Sequence, residues 1–130
     1  MAGRYSTKGT LMRYYSNEHL WIDIEESNAT IGICTHFLIR NSGISYISAG
    51  ETGTELESGE LWLTLETDKS TTVFSAPIAG IITEMNKTII DTPALLDNLI
   101  ENDCWICRIA IKSIPYSSLM TREEYDTFIG

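Results

Sequence analysis

A lysine between two strand-like segments is the side chain of this sequence best placed for chemistry. Leu61–Glu66 and Thr71–Ser75 are rich in β-branched and aromatic residues, and the four residues 67–70 between them have no apolar side chain. This pattern predicts a β-hairpin with Lys69 at its tip. An amine held on a rigid hairpin is well placed to be reached by another protein, although Asp68-Lys69 could also be an ordinary surface turn.

The strand before this turn should have an apolar face. Leu61, Leu63 and Leu65 alternate with other residues. Because successive side chains of a strand point to opposite faces, the three leucines should share one face. We expect that face to pack in the core and to hold the hairpin against the body of the protein.

Two neighbouring cysteines, Cys104 and Cys107, raise the question of a metal or redox site. Residues 104–111 alternate as a strand would, and positions three apart on a strand point to opposite faces. The two sulfurs should therefore diverge, which argues against both a shared metal and a disulfide. We expect buried packing thiols and no metal site. The odd number of cysteines also fits a reducing compartment.

Length and charge narrow the class of protein. The chain has 130 residues, is 43% hydrophobic and carries a formal net charge of −9. We expect one domain over residues 13–130, a flexible tail over 1–12, and no membrane span. The charge argues against nucleic acid as a partner, because phosphates are bound by Lys and Arg. The acids between residues 51 and 68 are either a solvated surface or a docking face for basic partners.

The remaining elements read as short strands with helices near the ends. Residues 21–24 and 29–33 bracket a polar turn, which predicts a hairpin, and 35–40 could form one or two helical turns. Ranges 44–48, 81–85 and 104–111 read as strands, 49–59 as a loop, and Gly80 as a turn. Thr92 should cap a short helix that has Pro93 at its first position. Thr121 and Glu124 form a capping-box pattern that opens a last helix. The sum is a β-dominated sandwich.

The spacing around the lysine adds a resemblance to known carriers. Gly53 precedes Lys69 by sixteen residues and Gly80 follows it by eleven, as in lipoyl domains, and Asp68 before the lysine fits lipoyl rather than biotinyl carriers. From about Tyr14 to Ile129 the chain resembles the glycine-cleavage H-protein family. The motifs that carry this resemblance are Tyr15-Ser16-Asn17-Glu18-His19-Leu20-Trp21, Ala29-Thr30-Ile31-Gly32-Ile33, Asn86-Lys87-Thr88-Ile89-Ile90-Asp91-Thr92-Pro93-Ala94-Leu95-Leu96 and Glu123-Glu124-Tyr125.

The resemblance implies a fold and a function. The fold would be a mainly β hybrid barrel-sandwich of lipoyl/biotinyl type, with two antiparallel sheets and short helices that include a C-terminal one. Lipoic acid would be attached as an amide to Lys69, with Asp68, Gly53 and Gly80 presenting the hairpin. The protein would be a carrier rather than an enzyme, shuttling an aminomethyl group on the lipoyl arm, and we expect a monomer in the cytoplasm, or in mitochondria if eukaryotic.

The resemblance also implies partners. A lipoate ligase or a lipoyl or octanoyl transferase would modify the chain. A pyridoxal-phosphate glycine decarboxylase, a folate-dependent aminomethyltransferase and dihydrolipoamide dehydrogenase would then use the arm.

The chain departs from the family pattern where the arm would lie. His36, and less directly His19, would line an arm groove, but Leu20 and Val73 stand where the family usually has acids. Two lost carboxylates would weaken a pocket for a cationic cargo. An alternative function therefore stays open: an H-like lipoyl carrier outside glycine catabolism, which relays lipoyl groups or presents the arm to a redox or protein-modifying enzyme.

Overall fold

The computed structural model describes residues 11–130. The tail expected over residues 1–12 therefore lies almost entirely outside the described residues. Met12 is already the first residue of a strand.

Nine strands and three α-helices make up the described chain. The strands are β1 (Met12–Tyr15), β2 (Leu20–Glu25), β3 (Asn28–Ile33), β4 (Tyr46–Ser48), β5 (Glu55–Leu56), β6 (Leu61–Glu66), β7 (Thr71–Ser75), β8 (Ala79–Met85) and β9 (Trp105–Ser113). The α-helices are α1 (Thr35–Arg40), α2 (Lys87–Asp91) and α3 (Arg122–Ile129), and short 3₁₀ helices cover Pro93–Asn98, Glu101–Asp103 and Tyr116–Ser118. No helix within residues 11–130 is long and apolar enough to cross a bilayer.

Two antiparallel sheets form a sandwich, which confirms the predicted fold class. The larger sheet has six strands in the order β1-β2-β3-β9-β8-β5, and the smaller has three in the order β4-β6-β7. Buried side chains from both sheets, such as Ile22 and Ile31 of the larger and Leu65 and Phe74 of the smaller, belong to one apolar cluster. The core therefore lies between the sheets, as burial of one face of each requires.

The smaller sheet carries the predicted hairpin. β6 and β7 pair in antiparallel register, with Glu66 opposite Thr71 at the end next to the turn. The prediction that three leucines of β6 share the core face is wrong for one of them. Leu63 and Leu65 are buried, but Leu61 is 66% exposed. The register shifts between Leu61 and Leu63, and such a bulge breaks the two-residue alternation and buries Trp62 instead.

The cysteines are packing residues, although not for the predicted reason. Cys34, Cys104 and Cys107 are all free and buried. β9 begins at Trp105, so Cys104 precedes the strand and the argument from opposite strand faces does not apply to it. Its Sγ lies 3.5 Å from the carbonyl oxygen of Ile100, in the turn that leads into β9.

Two of the predicted helices are confirmed. Residues 35–40 form α1, and α3 opens with the expected capping box. The Glu124 backbone N–H donates to the Thr121 hydroxyl, and the Thr121 N–H donates to the Glu124 carboxylate. These reciprocal bonds satisfy two N–H groups that a helix start otherwise leaves without partners.

Other local predictions need correction. Thr92 makes no side-chain cap; it ends α2, a helix that the sequence reading missed, and Pro93 then starts a 3₁₀ helix. Gly80 does not turn the chain but lies inside β8. The loop expected over 49–59 contains the two-residue β5, because Leu56 is buried beside Gly80 and pairs with it.

Candidate functional site

The turn that carries Lys69 is ordered by one hydroxyl. Thr67 Oγ1 accepts hydrogen bonds from the backbone N–H groups of Lys69 and Ser70, each at 3.1 Å. The Thr67 N–H in turn donates to the Ser70 carbonyl at 2.9 Å. These contacts form a threonine-capped turn, so the lysine backbone is fixed although its side chain is in solvent.

The Lys69 side chain is available for reaction. Lys69 and Asp68 are both exposed. Within residues 11–130 no salt bridge involves the Lys69 ammonium group, whereas Lys112 contacts Glu55 at 3.2 Å. A lysine without an ion pair keeps its conformational freedom and can enter the active site of another protein.

A polar cleft opens beside the lysine. It has a volume of about 360 Å³ and lies between the end of α1 and the hairpin turn; its lining residues are Arg40, Asn41, Ser42, Thr67, Asp68, Lys69 and Ser70. An arm attached to Lys69 would start inside this cleft. The cleft contains Arg40, an exposed cation that makes no salt bridge within the described residues.

The two glycines that flank the lysine in the sequence meet different structural demands, and their role in presenting the hairpin stays a prediction. Gly53 has φ of +92° in the loop that docks on β8, where its N–H donates to the Ile82 carbonyl at 2.7 Å. Gly80 has an ordinary φ, but a Cβ there would lie 2.3 Å from the Ala110 carbonyl oxygen. Gly53 therefore meets a conformational demand and Gly80 a steric one.

The two histidines lie together, with His36 on the same helix as Arg40 of the cleft. The ring centroids of His19 and His36 are 4.9 Å apart, and His19 Nδ1 is 2.9 Å from the hydroxyl of Tyr125 in α3. Neither histidine is among the residues that line the cleft beside Lys69. Their role in holding an arm stays a prediction.

Burial and nearby cations act on this cluster. The pKa of His19 is lowered by burial, then by His36 and by Arg40. Burial also raises the pKa of Tyr125, and the Cys34 thiol raises it further. The site therefore favours a neutral imidazole and a protonated phenol.

One of the two departures from the family pattern does not affect the surface. Leu20 is fully buried in the core and presents no side chain to the surface. Val73 is 43% exposed on β7, close in sequence to the turn. Of these two departures, only Val73 changes the protein surface near Lys69.

Three residues near the hairpin were missed by the sequence reading. Thr67 could have been recognised from the Thr-x-x-Ser pattern, which is typical of a side-chain-capped turn. Arg40 and Glu18 could not, because they reach the hairpin from distant parts of the chain. The Glu18 carboxylate accepts a 2.8 Å hydrogen bond from the Ser75 N–H at the far end of β7.

Metal and thiol chemistry find no support at these positions. Among the described residues no three His, Cys, Asp or Glu side chains come together as metal ligands. Burial raises the pKa of Cys34 and of Cys107 to about 12 and that of Cys104 to about 11. Such thiols stay protonated near neutral pH and are poor nucleophiles.

A two-sheet sandwich with an exposed lysine at the tip of an ordered hairpin defines a carrier domain of the lipoyl/biotinyl type. The family model described as "Glycine cleavage H-protein" matches residues 13–130. The chain belongs to the glycine cleavage H-protein family, as its motifs predicted.

Individual relatives agree with this assignment. A glycine cleavage system H protein of Thermoanaerobacter sp. strain X514 is 32% identical over 117 residues, which cover 89% of this chain and 92% of the relative. The protein of the same name from Herpetosiphon aurantiacus is 29% identical over 116 residues, 89% of each chain. The crystal structure of an H protein from Mycobacterium marinum superposes with a TM-score of 0.82 at 24% identity, covering 88% of this chain and 94% of that one, and supports the fold.

Proposed function

We propose that this chain is the lipoyl-carrying H-protein of glycine cleavage and that Lys69 is its attachment site. The observation that carries the proposal is the position of Lys69, exposed and without an ion pair in residues 11–130, on a turn fixed by Thr67. The proposed function comes from membership of the family, and the proposed attachment residue comes from the hairpin. A single carrier domain over residues 13–130, acting as a cytoplasmic monomer, is part of the same proposal.

The residues around Lys69 fit a lipoyl group. An amide on Nζ removes the positive charge of the lysine, and no carboxylate within the described residues loses an ion pair when this happens. The adjoining cleft is of a size that small ligands occupy. When bound, the lipoyl group would supply the disulfide and dithiol chemistry that carries an aminomethyl group.

The chain itself would contribute position rather than catalysis. Thr67 fixes the turn, Gly53 allows the positive φ of the loop that docks on β8, and Gly80 allows β8 to lie close to Ala110 of β9. The enzymes expected to use the arm are the modifying ligase or transferase, glycine decarboxylase, the aminomethyltransferase and dihydrolipoamide dehydrogenase.

A second candidate function is favoured by the charge at the site. Arg40 lines the cleft, and Val73 leaves an apolar side chain where the family usually has an acid. Both features are less favourable for a cationic cargo than a carboxylate would be, although Asp68 remains in the lining. An H-like carrier that relays lipoyl groups or presents the arm to another enzyme would suit this charge.

Reconstitution tests the proposed function. Lipoylated protein is mixed with decarboxylase, aminomethyltransferase and dihydrolipoamide dehydrogenase, and glycine-dependent NADH formation is measured; the Lys69→Arg variant is the negative control. We expect NADH formation with the lipoylated chain and none with the Lys69→Arg variant. The H protein from Thermoanaerobacter serves as the positive control. If it supports NADH formation and the fully lipoylated chain does not, glycine cleavage is excluded and the second candidate function remains.

A further inference from the structure

The outer edge of β7 has free backbone groups next to the lysine. The Thr67 N–H bonds the Ser70 carbonyl, and opposite residues of an antiparallel pair alternate between bonded and non-bonded pairs. Counting along the register, Thr72 and Phe74 bond to β6, while Thr71, Val73 and Ser75 direct their N–H and C=O groups outward. The Ser45 N–H donates to the Glu66 carbonyl, which agrees with this pattern because Glu66 lies opposite Thr71.

One end of this edge is closed and the other is open. The outward N–H of Ser75 is taken by the Glu18 carboxylate at 2.8 Å. Within residues 11–130 the outward groups of Thr71 and Val73 have no protein partner. The open positions are two and four residues after Lys69.

The edge also lacks the usual protection. Native edge strands are shielded by charges, proline, bulges or a covering element, yet β7 has neither a charged residue nor a proline. The other edge strands of the described chain are shorter: β4 has three residues, β5 has two, and the four-residue β1 has Arg13 and a bridge from Tyr15 to Met120. Val73, at the centre of the strand, is exposed and uncharged.

We propose that β7 is a strand-addition edge, on which the enzyme that acylates Lys69 lays an extended segment bonded to the backbone of Thr71 and Val73. The inference rests on the proposed function, because it assumes that Lys69 is acylated. Hydrogen-bond complementarity specifies an extended strand as the occupant. The edge lies between Asp68 and the Glu18 carboxylate, so the segment should be neutral at its centre and carry a Lys or Arg at its ends.

A second copy of this chain fits the edge less well. Two β7 strands paired about Val73 would set Ser75 of each copy opposite Thr71 of the other. The Ser75 N–H is already bound, and the Glu18 carboxylate stands in the way of the second strand. Each copy also carries a net charge of −9, which opposes association.

Val73→Pro tests the edge with little change elsewhere. Proline removes the outward N–H and places its ring where the added strand would lie, and edge strands tolerate it when the N–H faces solvent. Val73→Thr is the matched control, since it keeps the N–H and the β-branched shape. Lipoylation by a lipoate ligase with ATP and lipoate is followed by mass spectrometry over a range of protein concentrations. We expect a KM for the carrier at least tenfold higher in Val73→Pro, with kcat changed less than twofold, and wild-type values in Val73→Thr.

Hydrogen exchange gives an independent readout that does not depend on folding of the proline variant. The Lys69→Arg protein is saturated with ligase, and we expect the amides of Thr71 and Val73 to become protected, while Ser75 changes little. Unprotected Thr71 and Val73 amides, or a wild-type KM in a folded Val73→Pro protein, would overturn the edge proposal. A wild-type dimer that Val73→Pro converts to monomer would assign the edge to a second copy instead. Absence of label on Lys69 in the wild type would defeat the proposed function itself.

Discussion

His19 Nδ1 lies 2.9 Å from the hydroxyl of Tyr125, which joins the loop before β2 to the C-terminal helix α3. Tyr125 also stacks on Tyr15 of β1, with ring centroids 4.6 Å apart. The last helix is therefore attached to the sandwich by an aromatic contact and by a titratable one.

The burial of His19 predicts a loss of stability in mild acid. The pKa of His19 is lowered in the folded protein by burial, His36 and Arg40. Below the ordinary histidine pKa of about 6.5 the unfolded chain binds a proton that the folded chain resists, so the free energy of unfolding falls as pH decreases from 7 to 5. We expect His19→Gln to flatten this dependence in urea unfolding, and His36→Gln to flatten it partly. Equal pH slopes in all three proteins would contradict the assignment.

Lys69 should be the sole site of lipoylation. A Lys69→Arg variant keeps the charge, but its guanidinium is too weak a nucleophile for acylation. Incubated with lipoate ligase, ATP and lipoate, it should gain no mass. Lys87→Arg is the control, since Lys87 is also exposed but starts helix α2. Label on the Lys69 variant would refute the proposed site.

The flanking glycines should differ in their cost of substitution. Gly80→Ala places a Cβ against the Ala110 carbonyl oxygen, and overpacking of this kind costs about 1–3 kcal/mol. Gly53→Ala meets no atom within 4 Å and pays only for its positive φ, roughly 1 kcal/mol. Thermal unfolding should rank Gly80→Ala below Gly53→Ala, with lipoylation slowed more in the former. The reverse order would show that steric contact at Gly80 is not what the fold requires.

The buried thiols predict a loss of stability in alkali. Because their pKa values are raised to about 11 or 12, the folded chain keeps protons that the unfolded chain releases above the ordinary value of 9.0. The free energy of unfolding should therefore fall as pH rises from 9 to 11. Cys107→Ala should lower stability at pH 7 but reduce the slope above pH 9. Iodoacetamide should not label the native protein at pH 8, and rapid labelling would contradict this burial.

Local patterns predicted the parts of the fold whose cause is local. The hairpin at Lys69, helix α1 and the Thr121–Glu124 capping box follow from turn composition, short apolar spacing and side-chain caps, all encoded within a few residues. The pattern of short strands predicted a β-dominated sandwich, and the family motifs specified its type. The position of Lys69 on a hairpin turn could therefore be predicted from the sequence.

The errors arise where a distant contact decides the outcome. Leu61 is exposed because a bulge opposite Ser75 shifts β6, and no periodicity within β6 contains that information. Gly80 remains in a strand because β9 packs against it. Arg40 and Glu18 reach the hairpin through tertiary structure alone.

The placement of β9 has a consequence for how the chain folds. β9 lies in the middle of the larger sheet, between β3 and β8. Its pairing with β3 joins residues that are about eighty positions apart in the sequence. During synthesis the β6–β7 hairpin can close on local contacts, but the platform below it stays in two halves until residues 105–113 emerge, and such non-local pairing is slow. Lys69 should thus be exposed on a closed hairpin before the larger sheet is complete. Refolding should show early hairpin formation, followed by a slower step that depends on β9.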